Sequence, residues 1–402
     1  MLFLERPSVA VFSHIPEHFP SLSGSSAPRR QRYALLFFSI LLLLSLALGT
    51  GCARFHKTHH EYVYVWARHM FLRDRVAAVS NRVAEVKNGQ RLEVLESNRR
   101  FLRVQTDDNQ VGWIPDRAVI DQQTYNGFEQ LVTQHKDDPI VANATLRDDF
   151  YLHLSPGRDT DRFYLLPENT KVQMLVRASV PKTTIPKPTA PAPKDQSSAK
   201  VATSPAPAPE PIVMEDWWLV RNGQGYMGWL LSSRIDVNAP FEIAQYAEGQ
   251  RIVGAYVIRR VHDDQSSAPN HEVPEYVTAL GPYKWGLPYD FDQIRVFTWN
   301  VKRHRYETAF RLRNIQGYLP VKISTQPASN GGTEPVFAFQ ISTSGDVSID
   351  PATGIAKPAS PRTISFALRQ TVVRRIGSDL APITAIRTGE SKTKPSSRGK
   401  RR

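Results

Sequence analysis

Two stretches of this chain repeat one another position by position, so a fold that suits one must suit both. Leu72, Val83, Val86, Leu92 and Val94 align with Leu152, Phe163, Leu166, Val172 and Met174, each pair 80 residues apart. Phe101, Leu102, Val104, Gly112, Trp113, Ile114 and Val119 align with Trp217, Trp218, Val220, Gly228, Trp229, Leu230 and Ile235, each pair 116 apart. The offset changes once, by 36 residues, between Leu175 and Trp217. One small module therefore occurs twice, over roughly 62–120 and 140–236, and the second copy carries an insertion.

Within each copy the apolar residues alternate as they do along short strands. Val63, Val65 and Ala67 alternate with Tyr62, Tyr64 and Trp66. The run 82–86 leads into Asn88-Gly89, a hairpin-type turn pair. Leu92 and Val94 alternate with Arg91 and Glu93, the run 101–105 follows a short polar loop, and 111–114 ends at a Pro-Asp turn. Short strands this closely spaced predict a small barrel, because a flat sheet of that size leaves its edges unpaired. The insertion falls at the hairpin tip that is 97–100 in the first copy. It holds nine prolines from Pro181 to Pro211, which favours extended polyproline II and predicts a solvated loop. Tyr125, Phe128, Leu131 and Val132 fall at helical spacing after the first copy, and Phe241, Ala244 and Ala247 after the second. A short helix is expected in each place.

These motifs resemble the bacterial SH3 domain family. The first copy carries its elements as Phe71-Leu72-Arg73, Gly89-Gln90-Arg91-Leu92-Glu93-Val94, Phe101-Leu102-Arg103-Val104 and Gly112-Trp113-Ile114. Asp74-Arg75 stands where the family often has Gly-Pro. The second copy matches through Tyr151-Leu152-His153, Lys171-Val172-Gln173-Met174, Trp217-Trp218-Leu219-Val220 and Gly228-Trp229-Leu230, with His153 in place of the family's arginine. The resemblance implies SH3-like barrels that recognise ligands, many of them cell-wall peptides, rather than catalyse. Candidate ligand-binding residues are Tyr64, Trp66, Arg73, Trp113, Trp217, Trp218 and Trp229. Alternation along the strands lets only some of them face outward.

Charge and cysteine content narrow the function classes. The net charge is +13 over 402 residues, but seven Lys/Arg against one Glu lie in the tail from Arg387 to Arg402. That tail reads as a disordered basic segment. The amino-terminal region places Arg29, Arg30 and Arg32 before an apolar run, 33–48, and then Gly49-Thr50-Gly51-Cys52. A basic region, a short apolar run and small residues make an export signal. The small residues ending in cysteine resemble a bacterial lipobox, with Gly49 where that family prefers Leu. The resemblance implies cleavage before Cys52 and its lipidation. The competing reading is an uncleaved transmembrane helix over 33–53. Sixteen apolar residues fall short of the ~20 needed to span, and extension through Ala53 supplies the rest. Both readings put the rest of the chain outside the cytoplasm, where nucleic acid is not a partner.

From about 252 to 376 the pattern is again of strands, and seven or eight of them predict an antiparallel β domain. Along 305–313, Tyr306, Thr308, Phe310 and Leu312 point one way while Arg305, Glu307, Arg311 and Arg313 point the other, the pattern of a half-exposed strand. Trp285, Tyr289, Phe291, Phe297 and Trp299 form an aromatic stretch that reads first as ordinary core and second as the lining of a carbohydrate or peptide cleft. Cell-wall peptidases joined to bacterial SH3 domains often use a Cys-His pair, and no cysteine follows Cys52. His262, His271-Glu272 and His304 lack the spacing of a helical zinc motif. No Gly-x-Ser-x-Gly elbow or phosphate loop occurs.

The expected molecule is all-β, with two small SH3-like barrels, a carboxy-terminal antiparallel β domain and an apolar signal or anchor helix. Its divisions are the anchor at 1–52, the barrels at 60–121 and 139–237 (the second with the insertion 177–214), helical connectors at 122–138 and 238–250, the β domain at 251–378 and the tail at 379–402. The expected function is non-catalytic recognition of cell-wall peptide or envelope protein, by a protein held at a membrane of the cell envelope through Cys52 or the helix. No catalytic, metal or cofactor residue is assigned. The alternative is a non-cysteine cell-wall hydrolase seated in the carboxy-terminal domain.

Overall fold

The computed structural model describes residues 61–183, 212–328, 331–342, 346–378 and 381–383, all within one compact unit. The anchor segment, Cys52, most of the proline-rich insertion and the basic tail lie outside the described residues. Among the described residues no helix is long and apolar enough to cross a membrane.

The chain is mostly β, with several antiparallel sheets. The first copy of the repeat supplies β1 (Glu61–Val65), β2 (His69–Arg73), β3 (Arg82–Lys87), β4 (Arg91–Asn98), β5 (Phe101–Gln105), β6 (Val111–Pro115) and β7 (Val119–Asp121). They pair in the order β3-β2-β6-β5-β4-β1-β7. The second copy supplies β8 (Ala142–Leu146), β9 (Phe150–His153), β10 (Arg162–Leu166), β11 (Lys171–Pro181), β12 (Met214–Asn222), β13 (Met227–Leu231) and β14 (Ile235–Val237). Their order, β10-β9-β13-β12-β11-β8-β14, is the same order strand for strand. The repeat is thus one topology built twice.

The glycine of each Gly-Trp pair has a steric cause. A Cβ on Gly112 would lie 2.8 Å from the Leu72 Cβ, and one on Gly228 2.6 Å from the Leu152 Cβ. Both strands cross so close to the start of the module that only glycine fits. The insertion differs in part from the expected loop. β11 runs on to Pro181 and pairs through Pro181↔Met214, so the hairpin lengthens into a ribbon before the chain leaves the described residues.

Both expected helices form. Helix α1 (Gln122–His135) is capped by Asp121, whose carboxylate accepts from the Thr124 backbone N–H at 2.7 Å, and it buries Phe128 and Leu131. Helix α2 (Phe241–Ala244) is a single turn that continues as a 3-10 turn, Gln245–Ala247. It buries Ile243 and leaves Phe241 exposed, the reverse of the face its spacing suggests.

The third sheet is an antiparallel meander. It comprises β15 (Ile252–His262), β16 (Glu272–Leu280), β17 (Phe291–Asn300), β18 (Arg305–Pro327), β19 (Thr333–Ser342), β22 (Pro361–Arg369) and β23 (Val372–Ile376), in that order. A two-stranded flap, β20 (Val347–Ile349) with β21 (Ala356–Pro358), interrupts it. The strand expected at 305–313 continues without a break to Pro327, and β22 turns into β23 at Gln370, which takes a left-handed φ of 58°. Phe291, Phe337, Phe339 and Phe366 fill its core in stacked and edge-on pairs. Buried ion pairs fasten it to the second copy: Arg177 reaches Asp216 at 3.1 Å and Asp290 at 2.9 Å and donates to the carbonyls of Leu287 and Tyr289.

Candidate functional site

The two hairpins β15–β16 and β17–β18 open at the same end of the third sheet, where His262 pairs with Glu272 and Asn300 with Arg305. This brings together histidines and carboxylates that are scattered in sequence. Asp263 is buried, and its Oδ2 accepts from the Trp299 Nε1–H at 2.7 Å and lies 2.8 Å from His304 Nδ1. Its Oδ1 accepts from the Gln265 backbone N–H at 3.0 Å. The Trp299 hydrogen bond, with those of His304 and Gln265, holds the Asp263 carboxyl below its ordinary range. An ionised carboxylate only accepts, so Nδ1 of His304 donates to it, and in the neutral ring the lone pair falls on Nε2. That Nε2 has no hydrogen-bond partner among the described residues.

The surroundings hold this pair in place. The Trp299 backbone N–H donates to Glu275, a buried carboxylate that also binds Arg259 at 2.5 Å. His262 lies between Glu272 at 3.2 Å and Asp264 at 2.9 Å, and those two bonds, Asp264 first, raise its pKa. His271 donates from Nδ1 to the Ser266 carbonyl at 2.9 Å. His304, Asn270 and His271 all take left-handed φ, at 46°, 55° and 57°. Such backbone outliers persist only where the surrounding structure fixes them, and they gather at functional sites. Among the described residues no three His, Cys, Asp or Glu side chains are grouped to hold a metal ion. The arrangement has the chemistry of a general base: a partly exposed imidazole oriented by a carboxylate through one of its nitrogens.

The ligand-binding candidates separate by burial. Trp217, Trp218 and Trp229 are 1%, 2% and 2% exposed and serve as core, which corrects their reading as ligand platforms. β13 and the middle of β12 are covered on both faces, so alternation brings none of the three outward. Tyr64 is also buried, stacked on Tyr125 at 3.8 Å with its hydroxyl on Gln122. Trp66 lies between the copies, its Nε1 on the Arg117 carbonyl and its ring edge-on to Tyr151. Arg73 and Trp113 remain at the surface, paired across β2 and β6. With Phe71, Phe101 and Arg117 they line a groove of about 560 Å³. In the aromatic stretch Tyr289, Phe291 and Phe297 are core as expected, whereas Trp299 serves Asp263 and Trp285 is a surface residue under the Arg251 guanidinium at 3.4 Å.

No protein-family model and no curated protein matches the chain. Among solved structures it is similar to an NlpC/P60 family protein from Bacillus cereus, at 8% identity and a TM-score of 0.21, with 50% of this chain and 65% of that one covered. It is also similar to NlpC1 and NlpC2 from Trichomonas vaginalis, at 9% and 10% identity and TM-scores of 0.15, with 54% and 53% of this chain covered. The chain spans 59% and 62% of those two proteins. The expectation of a non-catalytic binding protein is corrected here and its hydrolase alternative is taken up in its place, and likenesses this slight are no argument for either. Scores of this size carry no mechanism, and the chemistry rests on the residues of this chain.

Sequence reasoning noted His262, His271, Glu272 and His304 but missed Asp263. The signal was faint: Asp263 and Asp264 follow a strand end, and the partner His304 lies 41 residues on.

Proposed function

We propose that the protein is a hydrolase of cell-wall peptide that works without a cysteine nucleophile. The observation that carries this is the buried Asp263 carboxylate orienting His304, with Nε2 left free. In this reading His304 takes a proton from a water as its oxygen attacks the substrate amide carbon. Asp263 stabilises the imidazolium formed, and His304 returns the proton to the leaving amine as the C–N bond breaks. The two repeats serve as SH3-like modules that hold the wall polymer, the first through the Arg73–Trp113 groove. Export and tethering at the envelope, through a lipidated Cys52 or the apolar segment, place the enzyme beside its substrate.

The test uses the full chain and purified cell-wall sacculi, scored by the new amino groups released. Asparagine tolerates the left-handed backbone at position 304, so His304→Asn separates chemistry from folding. Both His304→Asn and Asp263→Asn are expected to lower release by about 100-fold or more. Wild-type protein that releases nothing, or variants as active as wild type, would sink the reading.

A further inference from the structure

The third sheet carries a second charged cluster, away from the hairpin end that holds His304. β17 and β18 place Arg295 directly opposite Arg311, and Gln293 opposite Arg313. Like charges facing each other across a sheet destabilise it unless something of opposite sign lies between them. Glu248 is the carboxylate that meets them: it lies 3.1 Å from Arg295, 3.2 Å from Arg311 and 3.7 Å from Arg313. Those contacts, Arg295 first, hold the Glu248 carboxyl below its ordinary range. Three guanidinium groups against one carboxylate leave an excess of two positive charges.

The three arginines differ in what they have left to give. Arg295 is 1% exposed, its two terminal nitrogens engaged by Glu248 and the Tyr246 carbonyl and its Nε buried without a hydrogen-bond partner. Arg311 and Arg313 are 33% and 52% exposed. Arg313 Nε is steadied by Gln293 at 2.8 Å, and Gln293 in turn donates to Gln250 at 2.7 Å. The neighbouring Asp292 is engaged by Gln250 at 2.8 Å, and burial pushes its carboxyl up. Two partly exposed guanidinium groups are thus anchored from below and short of counter-charge.

We propose that Arg311 and Arg313, seated on Arg295 and Glu248, bind a phosphate group of an anionic partner. A phosphate carries close to two negative charges at neutral pH and accepts bidentate pairs from planar guanidinium forks, which suits the excess and its geometry. The same chemistry is offered by a phospholipid headgroup and by a soluble or polymeric phosphate.

The full chain would be titrated with inorganic triphosphate, and separately sedimented with phosphatidylglycerol or phosphatidylcholine vesicles. Wild type is expected to bind triphosphate or the anionic vesicles in a salt-dependent way. R311Q/R313Q is expected to weaken that binding by about tenfold or more. Both side chains lie at the surface, so the variant should keep its melting midpoint. Glu248→Gln removes the competing carboxylate and should bind more tightly than wild type. Loss of triphosphate binding alone points to a soluble or polymeric phosphate, and loss of vesicle binding alone to a lipid headgroup. The proposal fails if wild type binds neither probe above the neutral-vesicle background, if R311Q/R313Q binds as wild type does, or if Glu248→Gln binds more weakly.

Discussion

The two copies of the repeat share an interior and differ in what lies outside it. Leu72, Val104 and Ile114 are fully buried, and so are Leu152, Val220 and Leu230 at the matching positions. The outward positions diverge. Arg103 is exposed where Leu219 is buried, and Trp113 is half-buried where Trp229 is 2% exposed. Arg73 reaches the Ser80 carbonyl at the surface, whereas His153 is buried against Thr160 and the edge of Trp217. The cause is coverage. Helix α1, the flap residue Ile355 and the third sheet pack over the second copy, while the first copy keeps its groove open. One module thus serves as a surface and the other as a mount for the sheet that carries His304.

This contrast can be broken most severely at the mount. Arg177→Met strips the cation from between Asp216 and Asp290, and breaking a buried pair in this way costs about 3–5 kcal/mol. Ser97, at the matching tip of the first copy, is exposed, and Ser97→Ala should shift the urea midpoint hardly at all. Equal shifts would refute the division of roles. Next, Trp218→Ala is expected to cost about 3–5 kcal/mol, and Leu102→Ala, at the half-buried counterpart, roughly 2 kcal/mol or less.

A third effect is set by pH. Burial, with the Arg162 charge behind it, pushes the His153 imidazole down from 6.5 to about 4. The unfolded chain therefore takes up a proton near 6.5, while the folded chain does so only near 4. Stability present above pH 6.5 is lost as pH falls through that window, by up to about 3 kcal/mol. Replacing His153 with glutamine should flatten this part of the stability profile; an unchanged slope would show that another group is responsible. The smallest effect on stability belongs to Trp113→Ala, expected at about 1 kcal/mol because the ring is only half covered. Its consequence should appear instead in co-sedimentation with sacculi, where Trp113→Ala weakens retention. Undiminished retention would remove the groove from the proposed function.

Much of the architecture was legible because it depends on local pattern. The register of Leu72 with Leu152 and of Gly112 with Gly228 foretold two copies of one topology, and helical spacing marked α1. The strand at 305–313 showed its charged face in the alternation of Arg311 and Arg313 with Phe310 and Leu312. Burial was not legible in the same way. Trp217, Trp218 and Trp229 look in sequence like their half-buried counterparts Phe101, Leu102 and Trp113, and what covers them arrives from segments far along the chain. The candidate site was hidden for the same reason, since Asp263, Trp299 and His304 meet only where two separate hairpins end side by side.

The sequence by itself determined the strands, their repeat and the recurrence of Gly112-Trp113 as Gly228-Trp229, because alternation acts over neighbouring residues; the steric reason for those two glycines came from the strand crossing. It also determined that no cysteine after Cys52 is available for catalysis. Only the tertiary structure decided which copy keeps an open face, that Asp263 orients His304, and that three arginines share Glu248. Those outcomes follow from packing one sheet against another, and the free energy of burying a side chain or a charge belongs to the surface that covers it.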